Sequence, residues 1–188
     1  MGFFVSDFFQ ESILNQKIGQ KLNIMVFSVD IHSGQKGKFL GIQRTRKGQS
    51  IYKMNEVLFN KLQRLKEEAK YLVDNKPKLL RTLRTSIETK KIVERSVYLC
   101  AEIVLDIADL ILIKKGYPKP SSYSDSIYKL GDYGIIPKEF AHKFVYIDGV
   151  RSFLAHDYQQ NTVPELEKFL RYGIRDLKHF VKSAEALL

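Results

Sequence analysis

Residues 85–116 read TSIETKKIVERSVYLCAEIVLDIADLILIKKG, and their pattern decides the fold. Val93, Val97, Cys100, Val104, Ile107 and Ile111 follow at steps of four, three, four, three and four, which puts them on one stripe of an α-helix. Ala101, Leu105, Ala108 and Leu112 form a second row beside it. Two adjacent rows make an apolar face wider than a coiled-coil seam, as the central helix of a bundle requires. Gly116, which tolerates a left-handed backbone, and then Pro118 supply the stop.

The helical grammar continues on both sides. Residues 55–74 place Leu58, Leu62, Leu65, Ala69 and Leu72 on one stripe, and Pro77 is expected to break that helix. Downstream, a Pro/Ser/Tyr connector over 118–124 leads to a short helix over 125–130, and residues 131–137 turn the chain. Pro137 then opens a helix over 138–154 that buries Phe140, Phe144, Ile147 and either Val150 or Phe153. Thr162 as cap, Pro164 in the first turn and Glu165 as capping-box acid start the last helix. Its seam is Leu166, Leu170, Gly173 or Ile174, Leu177, Val181 and Ala184. With short loops and no strand pattern after Met54, the expected fold class is all-α, an up-down bundle of four to five helices over residues 54–188.

Residues 1–53 read differently. A short helix over 6–18 and a β-like run over 22–31 precede a basic, turn-rich stretch over 33–50 that holds Gly34, Gly37, Gly41 and Gly48. No motif stands out, and this extension is expected to be partly disordered, or an addition to a chain whose natural start is Met54. It carries eight basic and three acidic residues, which is half of the net charge of +10 in a quarter of the 188 residues. Such basicity favours a polyanionic partner such as RNA, because binding releases counterions from the phosphates.

Composition also excludes several classes. The single cysteine, Cys100, rules out an intramolecular disulfide, and its place on the helical seam predicts a buried, inert thiol. No run approaches the roughly 18 apolar residues of a membrane span, and the opening segment contains Asp7 and lacks a basic start. A cytoplasmic protein without membrane contact is expected. No Cys/His cluster has metal-ligand spacing, so neither metal nor cofactor is expected.

Between the last two helices lies Arg151-Ser152-Phe153-Leu154-Ala155-His156-Asp157-Tyr158, of the form R-x-x-x-x-H-x-Y. A guanidinium fork can hold a phosphodiester, an imidazole can move a proton near neutral pH, and a phenol can donate a hydrogen bond. RNA supplies its own nucleophile, the 2′-hydroxyl, so this kit suffices for strand cleavage to a cyclic phosphate. On a straight helix Arg151 and Tyr158 are nearly in line, whereas His156 lies about 140° round from Arg151. Either the helix ends or distorts near Ala155, a cap at Asn161 or Thr162 fitting an end near residues 156–158, or two copies share residues across a symmetric dimer. Taken alone, a histidine at a helix end is ordinarily a capping or surface residue. The acidic stripe Glu102, Asp106 and Asp109 reads first as a solvated face with ordinary ion pairs; alternatively a carboxylate there reaches Arg151 or His156.

From Met54 onward the chain resembles the HepT-like branch of the HEPN superfamily. The resemblance rests on Glu94-Arg95 and Asp106-Ile107-Ala108 in the long helix and on Pro120-Ser121-Ser122-Tyr123-Ser124-Asp125. It extends through Leu130 and Gly134-Ile135-Ile136-Pro137 to Val150-Arg151-Ser152-Phe153-Leu154-Ala155-His156-Asp157-Tyr158. It implies a metal-independent endoribonuclease, the toxin of a two-protein system, with Arg151 and His156 as the catalytic pair. It also implies that Tyr158 is modified with AMP by a cognate MNT-type nucleotidyltransferase antitoxin, and that the protein is a homodimer. Asp106 matches the family pattern and joins Ser152 as an auxiliary candidate. Ser152 departs from the asparagine common after the arginine, keeping a polar group of shorter reach. The alternative is a non-catalytic bundle that serves as partner-binding or nucleotide-binding subunit of a nucleotidyltransferase. A third class is a basic helical nucleic-acid binder without chemistry, which would depend on residues 1–53.

Overall fold

The computed structural model describes residues 27–28, 38–39, 46–156 and 160–187. The chain divides into two compact units, Met1–Lys53 and Met54–Leu188. In the first, β1 (Phe27–Ser28) pairs antiparallel with β2 (Lys38–Phe39), with Phe27 opposite Phe39. β1 falls inside the β-like run, while β2 lies in the stretch read as turn. The helix expected over 6–18 lies outside the described residues.

The second unit is a helical bundle. Helix α1 (Arg46–Thr82) starts well before the expected residue 55 and runs through Pro77 rather than stopping there. A mid-helix proline costs about 3 kcal/mol through its missing N–H and its clash with the preceding turn. Pro77 is on the exposed face, where water can serve the released carbonyl. Beyond it, Leu79 and Leu83 are almost fully buried, and two such side chains return roughly 3–6 kcal/mol. Burial therefore outweighs the break.

Helix α2 (Ile87–Lys114) is the central element, packed against four later segments of the chain. The Ser86 hydroxyl caps it by accepting from the Thr89 N–H at 3.1 Å, and Gly116 follows it with φ of 78°. Both expected apolar rows are buried, from Val93 to Ile111 and from Ala101 to Leu112. The stripe of α1 joins the same core.

Helix α3 (Tyr123–Asp132) is capped by Ser122, whose hydroxyl accepts from the Asp125 N–H at 3.1 Å. Gly131 lets α3 approach the next helix, since a Cβ there would sit 2.6 Å from the Ala141 methyl. The single helix expected over 138–154 is two, α4 (Lys138–Phe144) and α5 (Tyr146–His156), separated by a tightened turn at Val145. Phe144 and Ile147 on either side stay fully buried.

The last helix is α6 (Val163–Lys168), a π-turn over Phe169–Gly173, and α7 (Ile174–Glu185). The extra residue of the π-turn shifts the helical phase, which is why Gly173 and Ile174 compete for one seam position in the sequence. Both are buried, and so are Phe169 and Phe180. Glycine avoids a clash at position 173, where a Cβ would lie 2.7 Å from the Phe169 ring. Thr162 does not cap this helix. Its backbone is helical, and its buried hydroxyl donates across to the Glu94 carboxylate, while the Asn161 side chain accepts from the Val163 N–H at 3.2 Å. Counting α4 with α5 and α6 with α7 as interrupted helices, the bundle has five helices among the described residues, within the expected four to five. No helix of the described residues is long and apolar enough to cross a membrane.

Candidate functional site

The site is built where α5 crosses α2 and the start of α3. Arg151, midway along α5, donates from Nε to a Glu102 carboxylate oxygen on α2 at 2.6 Å. Its guanidinium carbon lies 5.4 Å from the Tyr123 ring centroid and 6.0 Å from that of Tyr98, within reach of cation–π attraction. The side chains of Arg151 and Glu102 are 20% and 30% exposed. The hydrogen bond from Arg151 holds the Glu102 carboxyl below the usual carboxylate range, and the same bond raises the arginine. A strong ion pair at a half-exposed position fixes orientation more than it adds stability. Among the described residues only Nε is taken by a carboxylate, so the terminal amino groups remain for a phosphate.

Tyr123 owes its place to the connector. Ser122 caps α3, Asp125 accepts from the Ser121 backbone and hydroxyl at 2.7 and 2.9 Å, and Ser124 donates to Asp148 of α5 at 2.5 Å. Ser126, buried on α3, donates to Asp109. The polar run after Pro120 thus locks the first turn of α3 and, with it, the ring that faces Arg151.

His156 is the last residue of α5 and is exposed, as is Ser152. The helix does not stop short of His156, so Arg151 and His156 leave it about 140° apart within one chain. Tyr158 lies outside the described residues. Asp106 does not take the arginine; Lys61 of α1 binds it at 2.5 Å, and Glu102, one turn earlier, takes Arg151 instead. The sequence pattern alone reads Glu102 first as part of a solvated stripe, and Tyr123 only as one letter of a motif. A usable signal is present: Lys91, Arg95, Tyr98 and Glu102 step by four, three and four along one stripe next to the buried seam.

Beside Arg151 opens a cleft of about 440 Å³ between the first half of α2 and the end of α5. Lys90, Lys91, Glu94, Arg95 and Tyr98 of α2 line one side, and Leu154, Ala155, Gln160 and Thr162 the other. Arg95 stands 5.7 Å from the Tyr98 ring on which Arg151 also bears. Among the described residues no group of three His, Cys, Asp or Glu side chains converges as a metal site.

Comparison with known proteins agrees with this architecture. The chain is 25% identical over 104 residues to the tRNA nuclease HepT of Aphanizomenon flos-aquae, covering 55% of this chain and 71% of that one. Among solved structures, a tri-AMPylated HEPN toxin of Shewanella oneidensis in complex with an MNT antitoxin superposes with a TM-score of 0.59 at 19% identity. That match covers 69% of this chain and 97% of the other. The cytosolic protein of unknown function YutE from Bacillus subtilis superposes with a TM-score of 0.52 at 17% identity, covering 65% and 90%. At these identities the two structures show a shared fold. The model of the family described as ribonuclease HepT-like matches residues 57–184, and the chain belongs to that family.

Proposed function

We propose that this protein is a metal-independent endoribonuclease, the toxin of a pair whose other member is an MNT-type nucleotidyltransferase. The observation that carries the reading is Arg151, oriented by Glu102 and two tyrosine rings on the helix that ends in His156. A 2′-hydroxyl attacks the adjacent phosphorus, the bond from phosphorus to the 5′-oxygen breaks, and a cyclic phosphate and a free 5′-hydroxyl result. Arg151 neutralises charge on the phosphoryl oxygens, while His156 moves the proton between the two oxygens. The divergence of the pair on α5 favours a homodimer in which Arg151 of one copy works with His156 of the other.

Tyr158 is the off-switch in this reading. AMP added there by the nucleotidyltransferase brings a phosphate close to the Arg151 fork and competes with RNA. The names of the Aphanizomenon nuclease and of the AMPylated Shewanella toxin support the substrate class and the partner. Residues 54–188 carry the activity, Ser152 has an auxiliary role, and the site of action is the cytoplasm.

Arg151→Ala and His156→Ala should each abolish RNA cleavage and growth arrest without loss of fold, since a missing general acid or base costs about 100- to 10,000-fold. Full activity of either variant, or loss of wild-type activity in chelator, would overturn the mechanism. A cleaving monomer at micromolar concentration in sedimentation would overturn the shared site. For the switch, Tyr158→Phe should escape silencing when co-expressed with the nucleotidyltransferase; equal silencing without an adduct would overturn it.

A further inference from the structure

We propose that the cleft beside Arg151 is a nucleotide subsite that seats the RNA unit next to the scissile phosphate, with its phosphate on Arg95 and Lys91. The inference rests on the ribonuclease reading above and extends it to residues outside the R-x-x-x-x-H motif.

Position comes first. Arg95 and Arg151 approach the same Tyr98 ring at 5.7 and 6.0 Å, so their guanidinium carbons are at most ~12 Å apart. That upper bound corresponds to about a few nucleotide steps along a single strand. A phosphodiester held at Arg151 therefore delivers its neighbour to the cleft. The volume of about 440 Å³ suits one nucleoside phosphate.

Charge supports the same occupant. Arg95 and Lys91 are exposed, and among the described residues no carboxylate lies within 4.0 Å of either. The nearby carboxylates are engaged: Glu102 holds Arg151, and Glu94 receives the buried Thr162 hydroxyl and pairs with Lys90 at 3.7 Å. Two guanidinium groups on one aromatic ring repel each other, and a polyanionic strand crossing both relieves that repulsion. Opposite them, Leu154 and Ala155 offer an apolar surface to a sugar or base, with the Gln160 amide beside them. The phosphate contacts of Arg95 and Lys91 are expected to fix register along the strand.

The test uses the full chain with Arg95→Gln and Lys91→Gln, both exposed positions, and Lys143→Gln as an exposed lysine outside the cleft. In steady-state cleavage of a short single-stranded RNA, Arg95→Gln should raise KM about tenfold with kcat nearly unchanged, as loss of a uniform binding contact does. Binding of a 2′-O-methyl RNA, which lacks the nucleophile, should show its logarithmic salt slope reduced by about 0.7 in each cleft variant. Lys143→Gln should change neither quantity. Unchanged KM and slope in both cleft variants, while Arg151→Ala abolishes cleavage in the same assay, would overturn the subsite and leave the nuclease standing. A fall in kcat at constant KM for Arg95→Gln would make Arg95 a prop for Arg151 and also overturn it. An equal slope change in Lys143→Gln would reduce the attraction to diffuse charge and overturn the subsite as well. Wild-type cleavage by Arg151→Ala would instead remove the reading on which the subsite depends.

Discussion

Replacing Glu102 by alanine should lower folding stability by about 1–2 kcal/mol and slow RNA cleavage by about 10- to 100-fold. The Arg151–Glu102 bond is 2.6 Å long and joins two charges, a class worth about 1.5–3 kcal/mol. Both side chains keep some water contact, at 20% and 30% exposure, so the arginine left behind is rehydrated rather than stranded. The larger loss of about 3–5 kcal/mol that follows breaking a buried pair is therefore not expected. For the rate, the guanidinium would be held only by Tyr98 and Tyr123, contacts worth about 0.5–1 kcal/mol each where partly exposed. It would sample other rotamers, and a misplacement of about 1 Å costs on the order of 100-fold. Glu102→Gln keeps an acceptor at the same reach and should lie within a few-fold of wild type.

The same pair has a pH signature. The Glu102 carboxyl is depressed in the folded protein, chiefly by the hydrogen bond from Arg151, relative to its ordinary value of 4.5. As pH falls the unfolded chain takes up the proton first, so the contribution is complete above about pH 5 and is lost as pH drops through the folded value. Urea unfolding at neutral pH and near pH 4, with single-turnover cleavage on the same samples, measures both effects. An alanine variant with the wild-type single-turnover rate, or with an undiminished acid loss of stability, would refute the positioning role.

Three further outcomes follow from the packing. Gly173→Ala drives a methyl to 2.7 Å from the Phe169 ring and should cost about 1–3 kcal/mol in denaturant unfolding, with partial recovery when Phe169→Leu is added. Thr162→Val removes the donor to Glu94 at a site 5% exposed and should cost about 1–2 kcal/mol, read as a lowered Tm. Cys100 is fully buried and burial pushes its thiol upward, so it should resist a thiol reagent in the native protein at mildly alkaline pH and react at once in denaturant; rapid native labelling would contradict the core placement.

The bundle is legible in the chain, because helical periodicity records which face is buried. The two rows of α2 and the stripe of α1 belong to near neighbours in the chain, and their spacing is legible without coordinates. Arg151, His156 and Tyr158 stand out as candidates for the same reason, three functional groups within eight residues. Other features depend on contacts between distant segments. Pro77 continues a helix because Leu79 and Leu83 find cover beyond it. Thr162 turns from cap to cross-link because Glu94, 68 residues away, faces it. The carboxylate on Arg151 is that of Glu102 rather than Asp106, since the rotation of α2 against α5 selects one turn and Lys61 claims the other. Local patterns encode which side of a helix is buried, whereas the partner of a polar group depends on how separate helices are rotated and offset, and no short-range spacing carries that information.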